Sequence, residues 1–292
     1  MFKCIFLFIA FFIPNSLFAA GAYPYYVPNK TVIGVIRKHE IKKEETMLDI
    51  ARRYGLGYQE LMLLYPNMDP WLPPAGKTIE IPTQWVLPHF KGKGLVINVA
   101  ELRLFLFLSD IGLVKTYPIG IGVQEFPTPF GDFKVIEKEK NPIWQIPPSL
   151  RKEYGGRFQI LPGPENPLGK FWIGLSADGY GIHGTNSPWG IGRLVSHGCI
   201  RLYPEDIKEL FPFVKIGMPV KIIYEPVKFG FLNKKIYVEV HPDIYHKIDD
   251  LFSYGIKKAK TLNLLSRINL NIFFKALKEK KGIPINVTYK TN

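Results

Sequence analysis

Glycine and proline interrupt this chain so often that an all-helical fold is disfavoured: 26 Gly and 25 Pro fall among 292 residues, and both break helices while favouring turns. What lies between them is apolar and strand-forming. Hydrophobic residues make up 47% of the chain and aromatics 14%, enough to bury a core in one large domain or two modest ones and to exclude general disorder. From residue 94 onward, runs at 95–99, 102–108 and 114–121, with a turn at Ser109-Asp110-Ile111-Gly112, predict consecutive short strands in an antiparallel sheet. Gly and Pro then punctuate the chain as far as Asn166-Pro167-Leu168-Gly169. Strands return at 170–175 and 221–224, and one helix is expected at 205–211.

The two flanks read differently. Residues 31–83 form a compact unit, opening with the β-branched run Thr31-Val32-Ile33-Gly34-Val35-Ile36 and closing with a strand at Lys77-Thr78-Ile79-Glu80-Ile81. Two helices lie between. Thr46 is an N-cap with Asp49 three residues on, Met47, Ile50, Ala51 and Tyr54 follow helical spacing, and a second helix covers residues 58–64. Beyond residue 225, a hairpin is expected around Asn233-Lys234, then two helical stretches. The last spans about 269–281, with lysines in its final turn, Gly282 just past it and Pro284 beyond.

The N-terminus has signal-peptide anatomy: Lys3, an apolar stretch from Cys4 to Ile13, a polar break at Pro14-Asn15-Ser16 and small residues from Ala19 to Ala22. Residues 1–22 are therefore expected to be removed on export, with Ala19, Ala20 and Ala22 competing as the cleavage position. A bilayer span needs roughly 20 apolar residues, and no later segment reaches that length. Loss of Cys4 with the leader makes Cys199 the sole thiol of the exported protein, so no internal disulfide can form. An unpaired cysteine in an oxidising compartment is a candidate reactive thiol, with an inert buried cysteine as the alternative. The net charge of +13 suits anionic envelope surfaces. Between residues 247 and 292, ten basic residues face three acidic ones. No nucleic-acid recognition motif is present, and no nucleic-acid partner is expected.

The chemistry is concentrated in Ile182-His183-Gly184-Thr185-Asn186 and Ser196-His197-Gly198-Cys199-Ile200-Arg201. A free thiol is only a few per cent ionised at neutral pH, so a nucleophilic cysteine needs a neighbouring base or positive charge. His197 is two residues from Cys199, which in an extended strand leaves the side chains about 7 Å apart. His183 lies on a separate expected strand, and the Gly- and Pro-rich loop between can fold its ring against the sulfur, so His183 is assigned as base. No Asp or Glu lies between Asp178 and Glu205 to orient that ring; a backbone carbonyl such as that of Gly184 can do so. Gly198 permits a tight turn that would free the amides of Gly198 and Cys199 as an oxyanion hole. Arg201 can bind a substrate carboxylate or carbonyl, or serve only in a structural ion pair. Zinc held by His183, His197 and Cys199 competes by ligand type, although no second thiol supports it.

These residues resemble the signature of the YkuD-type L,D-transpeptidases, a histidine followed by Ser/Thr-His-Gly-Cys. Thr128-Pro129-Phe130-Gly131-Asp132-Phe133, Asn141-Pro142-Ile143-Trp144 and Pro162-Gly163-Pro164-Glu165-Asn166-Pro167-Leu168-Gly169 are further family-like elements. The resemblance implies a YkuD-like β-sandwich catalytic domain over residues 91–225, with Cys199 as nucleophile, His183 as catalytic histidine, and Ser196, His197, Gly198 and Arg201 around them. Thr46-Met47-Leu48-Asp49-Ile50-Ala51 and Gly76-Lys77-Thr78-Ile79-Glu80-Ile81-Pro82 resemble a LysM module, the small α+β domain that binds N-acetylglucosamine-containing glycans. Such modules often carry Asn-Pro after the second helix where this chain has Tyr65-Pro66. The expected architecture is thus a mainly β catalytic domain behind a small LysM-like α+β domain, with a C-terminal β/α extension and basic helical tail over 226–292. The implied reaction attacks the diaminopimelate–D-Ala bond of a peptidoglycan tetrapeptide, releases D-Ala and passes the acyl group to an amine of diaminopimelate or of a lipoprotein lysine. The implied setting is the periplasm, with peptidoglycan stems and glycan strands as partners and neither cofactor nor metal. Hydrolysis of the same bond, and glycan binding without catalysis, are the alternatives.

Overall fold

The computed structural model describes residues 21–289. Of the leader expected over residues 1–22, residues 1–20 lie outside them. Ala22, the last of the three cleavage candidates, is the first residue of the Ala22–Pro24 strand.

A nine-stranded sheet organises the chain. Its strands run in the order Ala22–Pro24, Leu113–Pro118, Arg103–Leu108, Gly94–Asn98, Pro219–Ile223, Gly131–Lys140, Phe171–Leu175, Gly181–His183 and Ile200–Arg201. The expected antiparallel meander accounts for only part of it. Pro219–Ile223 runs parallel to Gly94–Asn98, and Ile200–Arg201 runs parallel to Gly181–His183. Both pairs join segments separated by long connections, as parallel pairing demands, whereas the reading from turns sees only neighbours in sequence. The ten-residue strand Gly131–Lys140 was likewise not expected. Apart from buried Val135 it is partly or fully exposed and rich in charge, so it lacks a continuous apolar run.

The Arg103–Leu108 strand is buried at every position. Because successive side chains alternate between faces, Leu104, Leu106 and Leu108 enter the core that also holds Ile173, Ile182, Ile200, Ile207 and Leu210. Phe105 and Phe107 enter a different core on the opposite face, together with Val96 and Val114. The rest of that second core comes from the N-terminal unit: Ile33, Met47, Ile50, Leu56, Leu61, Ile79, Ile81 and Trp85. The N-terminal unit is therefore the second layer of the fold, sharing its core with the nine-stranded sheet.

Within that unit, Thr46 caps the Met47–Arg53 helix through the expected capping box with Asp49, and Tyr58–Met62 forms the second helix. Thr78–Ile81 pairs with Arg37–Glu40, while the β-branched run contributes Val32–Gly34 to a separate ribbon with Gln84–Val86. The chain switches ribbons at Gly34, whose φ of 74° and close approach to the Thr83 carbonyl exclude a side chain. Tyr65, standing where an asparagine was expected, ties the second helix to the closing strand: its hydroxyl accepts from the Glu80 amide at 2.6 Å.

The C-terminal unit pairs Val227–Leu232 with Lys235–Val240 through a turn at Asn233 and Lys234, both at positive φ. It packs the Leu251–Thr261 and Leu270–Glu279 helices over that sheet. No helix among the described residues is long and apolar enough to cross a membrane. Two buried ion networks join the units. Arg103 reaches across the layer boundary to Glu60 with contacts of 2.7 and 2.8 Å, stacks on the Trp85 ring and donates to the Gly55 carbonyl. Lys228 lies 2.6 Å from Glu101 and 3.1 Å from Glu239, and the latter also meets His241.

Glu60→Ala leaves Arg103, 1% exposed, charged and unpaired in the interior. The expected cost is about 3–5 kcal/mol, read as a lower midpoint in urea unfolding. The double variant Glu60→Ala/Arg103→Leu should recover part of that loss.

Candidate active site

Cys199 and His183 line one cavity of about 770 Å³, with Ser196, His197, Arg201 and Trp172. Its front is a flap formed by residues 142–168. A ribbon of Trp144–Gln145 with Gln159–Ile160 and a small core of Ile146, Leu150 and Ile160 keep the flap folded. Asn166, fully buried, ties its two ends together, donating to the Pro142 carbonyl at 2.8 Å and accepting from the Leu168 amide at 2.9 Å.

His183 ends the Gly181–His183 strand, in register with Trp172 on one side and Arg201 on the other. Its Nδ1 lies 2.6 Å from the Gly184 carbonyl. A carbonyl can only accept, so Nδ1 carries the proton and Nε2 keeps a free lone pair. The Trp172 indole stacks on the ring at 5.8 Å between centroids, seated over Gly181, where any side chain would collide with it. Burial pushes the His183 pKa down to about 3, with the Arg201 charge adding to the effect and the carbonyls of Gly184 and Leu168 opposing it. The imidazole is neutral across the physiological range.

The segment that carries Cys199 is not an extended strand. Leu194–Ser196 and Ile200–Arg201 are separate strands in different sheets, and Gly198 between them has a φ of 104°. A side chain at Gly198 would strike the Tyr180 ring. Ser196 Oγ donates to the Cys199 carbonyl at 2.6 Å and accepts from the Gly198 amide at 3.1 Å. That second bond corrects the expected oxyanion pair, because the Gly198 amide is already engaged and Cys199 retains the remaining donor of the two. His197 is exposed and packs against Phe126 at 4.8 Å.

The half-buried Cys199 sulfur lies 3.7 Å from the Gly179 carbonyl. Burial pushes its thiol up, opposed by a backbone contact from Gly181 and by Arg201. Arg201 Nε is buried with no hydrogen-bond partner among the described residues, an arrangement that suits a ligand acceptor. Zinc finds no ligand set in this cavity among the described residues. Glu101, Glu239 and His241 are the group whose ligand atoms cluster, and the Lys228 ammonium already meets both carboxylates there.

Two supports were not legible as site residues. Thr128 Oγ1 donates to the Gly198 carbonyl at 2.9 Å and accepts from the Gly122 amide at 3.0 Å. Tyr245, from the C-terminal unit, donates to the Gly122 carbonyl at 2.6 Å. Thr128 stood inside a family-like element, whereas Tyr245 carried no local signal.

Residues 92–222 match the family model of the YkuD L,D-transpeptidase catalytic domain. The Escherichia coli K12 protein named "Probable L,D-transpeptidase YcfS" is 38% identical, over 92% of this chain and 88% of that protein. The Salmonella typhimurium protein named "Probable L,D-transpeptidase ErfK/SrfK" is 41% identical, over 82% of this chain and 81% of its own length. The chain belongs to the YkuD L,D-transpeptidase family. Within this family member, the match covers the nine-stranded sheet apart from its Ala22–Pro24 edge, together with the flap and the cavity that holds Cys199, while the similarity to YcfS extends across the flanking units as well.

With the thiol raised and the imidazole lowered, a preformed thiolate–imidazolium pair is not favoured at rest. Alkylation of Cys199 by iodoacetamide should therefore follow a single ionisation above the ordinary thiol value of about 8.5, with no step near pH 6.5. Measurement of alkylation by mass spectrometry from pH 4 to 10 checks this; a plateau already reached below pH 7 would contradict it.

Proposed function

We propose that this chain is an exported peptidoglycan L,D-transpeptidase whose nucleophile is Cys199 and whose base is His183. The observation that carries the reading is the shared cavity in which an imidazole, held by the Gly184 carbonyl with Nε2 free, accompanies the half-buried Cys199 thiol. His183 Nε2 takes the thiol proton as the sulfur attacks the carbonyl between diaminopimelate and D-Ala of a tetrapeptide stem. The developing oxyanion is met by the Cys199 amide. Collapse of the tetrahedral intermediate breaks the C–N bond, and D-Ala leaves with the proton from His183. The thioester then passes to an amine, that of a second diaminopimelate or of a lipoprotein lysine. Arg201, whose Nε has no partner among the described residues, binds a substrate carboxylate or carbonyl. Ser196 and Thr128 hold the Gly198–Cys199 turn, and the flap limits water at the thioester, which favours transfer over hydrolysis.

The setting is the periplasm, where a basic surface and a glycan-binding LysM-like unit keep the enzyme on the wall. Trp71 and Leu72 are exposed in the loop before the closing strand of that unit, and an exposed aromatic beside polar backbone suits a sugar ring.

The decisive experiment incubates the mature protein with disaccharide-tetrapeptide and follows products by mass spectrometry. D-Ala release coupled to dimer formation is expected. Cys199→Ala should abolish both products, and His183→Ala should leave a trace. Release without dimer, even with lipoprotein added, would make the enzyme a carboxypeptidase, and undiminished turnover by Cys199→Ala would refute the mechanism. For the N-terminal unit the expected result is that Trp71→Ala lowers retention on sacculi severalfold while turnover of the soluble tetrapeptide is kept. Truncation is unsuited to that question, since it strips the cover from Phe105 and Phe107.

A further inference from the structure

Four cavity-lining residues stand in one lateral row across four adjacent strands. Glu139 pairs with Trp172, Trp172 with His183, and His183 with Arg201. Adjacent strands are about 4.8 Å apart, so the row spans about 14 Å and runs from a carboxylate through an indole and the base to a guanidinium. A second carboxylate, Glu137, lies on the same side as Glu139. The register shift between Val135 and Glu137 re-aims the strand there, so Lys138 turns the other way to donate to the Val214 carbonyl while Glu137 and Glu139 line the cavity.

Glu137 holds the Trp172 indole through its Nε1 at 3.1 Å, which fixes the aromatic surface between Glu139 and His183. A carboxylate beside a fixed aromatic surface recognises an organic cation. The opposite end of the row offers the complementary group, the buried Arg201 Nε without a partner. The cavity is thus electrically polarised along the row, with His183 between its ends.

Resting on the proposed transpeptidase reaction, we infer that Glu139 and Trp172 form the acceptor subsite, which binds a primary alkylammonium and delivers it to the thioester past His183. A bound ammonium cannot attack until it loses a proton, and neutral His183 is the base beside it. The ammonium gives one proton to His183, which passes it to solvent. The freed nitrogen pair forms the C–N bond at the thioester carbonyl, the C–S pair returns to Cys199, and the nitrogen's second proton follows through His183 to the sulfur. The products are an amide and the free thiol.

The test uses the full mature protein and its Glu139→Gln and Trp172→Leu variants, with a tetrapeptide donor whose free diaminopimelate amine is acetylated so that it cannot itself serve as acceptor. Three readings are taken: D-Ala release without added acceptor, transfer to lysine amide as a cationic acceptor, and transfer to hydroxylamine, which is uncharged at neutral pH. For Glu139→Gln the expected result is unchanged D-Ala release and hydroxylamine transfer, with transfer to lysine amide relative to hydrolysis falling about tenfold, the size of one charge-assisted contact. Trp172→Leu should show the same selective loss together with a fall in D-Ala release, because it also removes the wall against His183. Equal loss of both transfers in Glu139→Gln, loss of D-Ala release in that variant, or an unchanged ratio would each overturn the subsite while leaving the reaction standing. Failure of the unaltered protein to release D-Ala would overturn the proposed reaction and the subsite with it.

Discussion

The structure depends on the two-sided burial of the Arg103–Leu108 strand. A strand whose every residue is buried must have an apolar layer on both faces, and each large side chain that it buries contributes about 1.5–3 kcal/mol. One layer is the catalytic core beneath Leu104, Leu106 and Leu108. The other is the N-terminal unit, which fills the space over Phe105 and Phe107. Arg103 opens the strand on the second face, and its guanidinium can stay charged there because Glu60, Trp85 and the Gly55 carbonyl surround it. Glu60 also accepts from the Gly57 amide at the start of its own helix. The same carboxylate therefore fixes the helix and locks the layer to the sheet.

From this arrangement it follows that the flanking units reach the reaction cavity. Gly57 and Gly192 meet back to back, with a Cβ on Gly57 only 2.6 Å from the Gly192 Cα. The Tyr58 amide donates to the Ile191 carbonyl, and Arg193 stacks on the Tyr58 ring. Residues 191–193 lead directly into the Leu194–Ser196 strand and so to Ser196, which holds the Cys199 turn. From the other side Tyr245 holds Gly122, whose neighbour Thr128 holds the Gly198 carbonyl. The nucleophile segment is clamped between a residue pair from the N-terminal layer and a hydroxyl from the C-terminal unit.

Much of this was legible where one residue type has one physical use. Gly198 before Cys199, His183 on its own strand, and Thr46 with Asp49 each carry their geometry in local sequence. The hairpin at Asn233-Lys234 was legible for the same reason, since those residues adopt positive φ in tight turns. What escaped was non-local. The Gly131–Lys140 strand carries charge on both faces, with Glu137 and Glu139 lining the cavity and Lys138 turned to the Val214 carbonyl, so it shows no apolar alternation. Lys228 carried no signal in the sequence, yet its ammonium is buried with Glu101 and Glu239. The Gly198 amide was expected to be free, but Ser196, two residues earlier, returns to occupy it.

The electrostatics of the cavity favour a base that acts during the reaction. A thiolate and an imidazolium held together at rest would place two charges in a half-closed site, and burial opposes both, raising Cys199 and lowering His183 to about 3. In the proposed reaction, charge therefore develops chiefly as the sulfur attacks, when the proton would move to Nε2 and the negative charge from sulfur to the carbonyl oxygen. Arg201 disfavours a protonated His183 and favours a charged Cys199, so its effect on a resting ion pair is divided. In the tetrahedral state of the proposed reaction the same guanidinium would meet net negative charge on the substrate. An interaction that is divided in the ground state and attractive in the transition state is the kind that lowers a barrier. In the same proposed reaction, a His183 left neutral once D-Ala has departed could take a proton from an arriving ammonium without first having to discharge one.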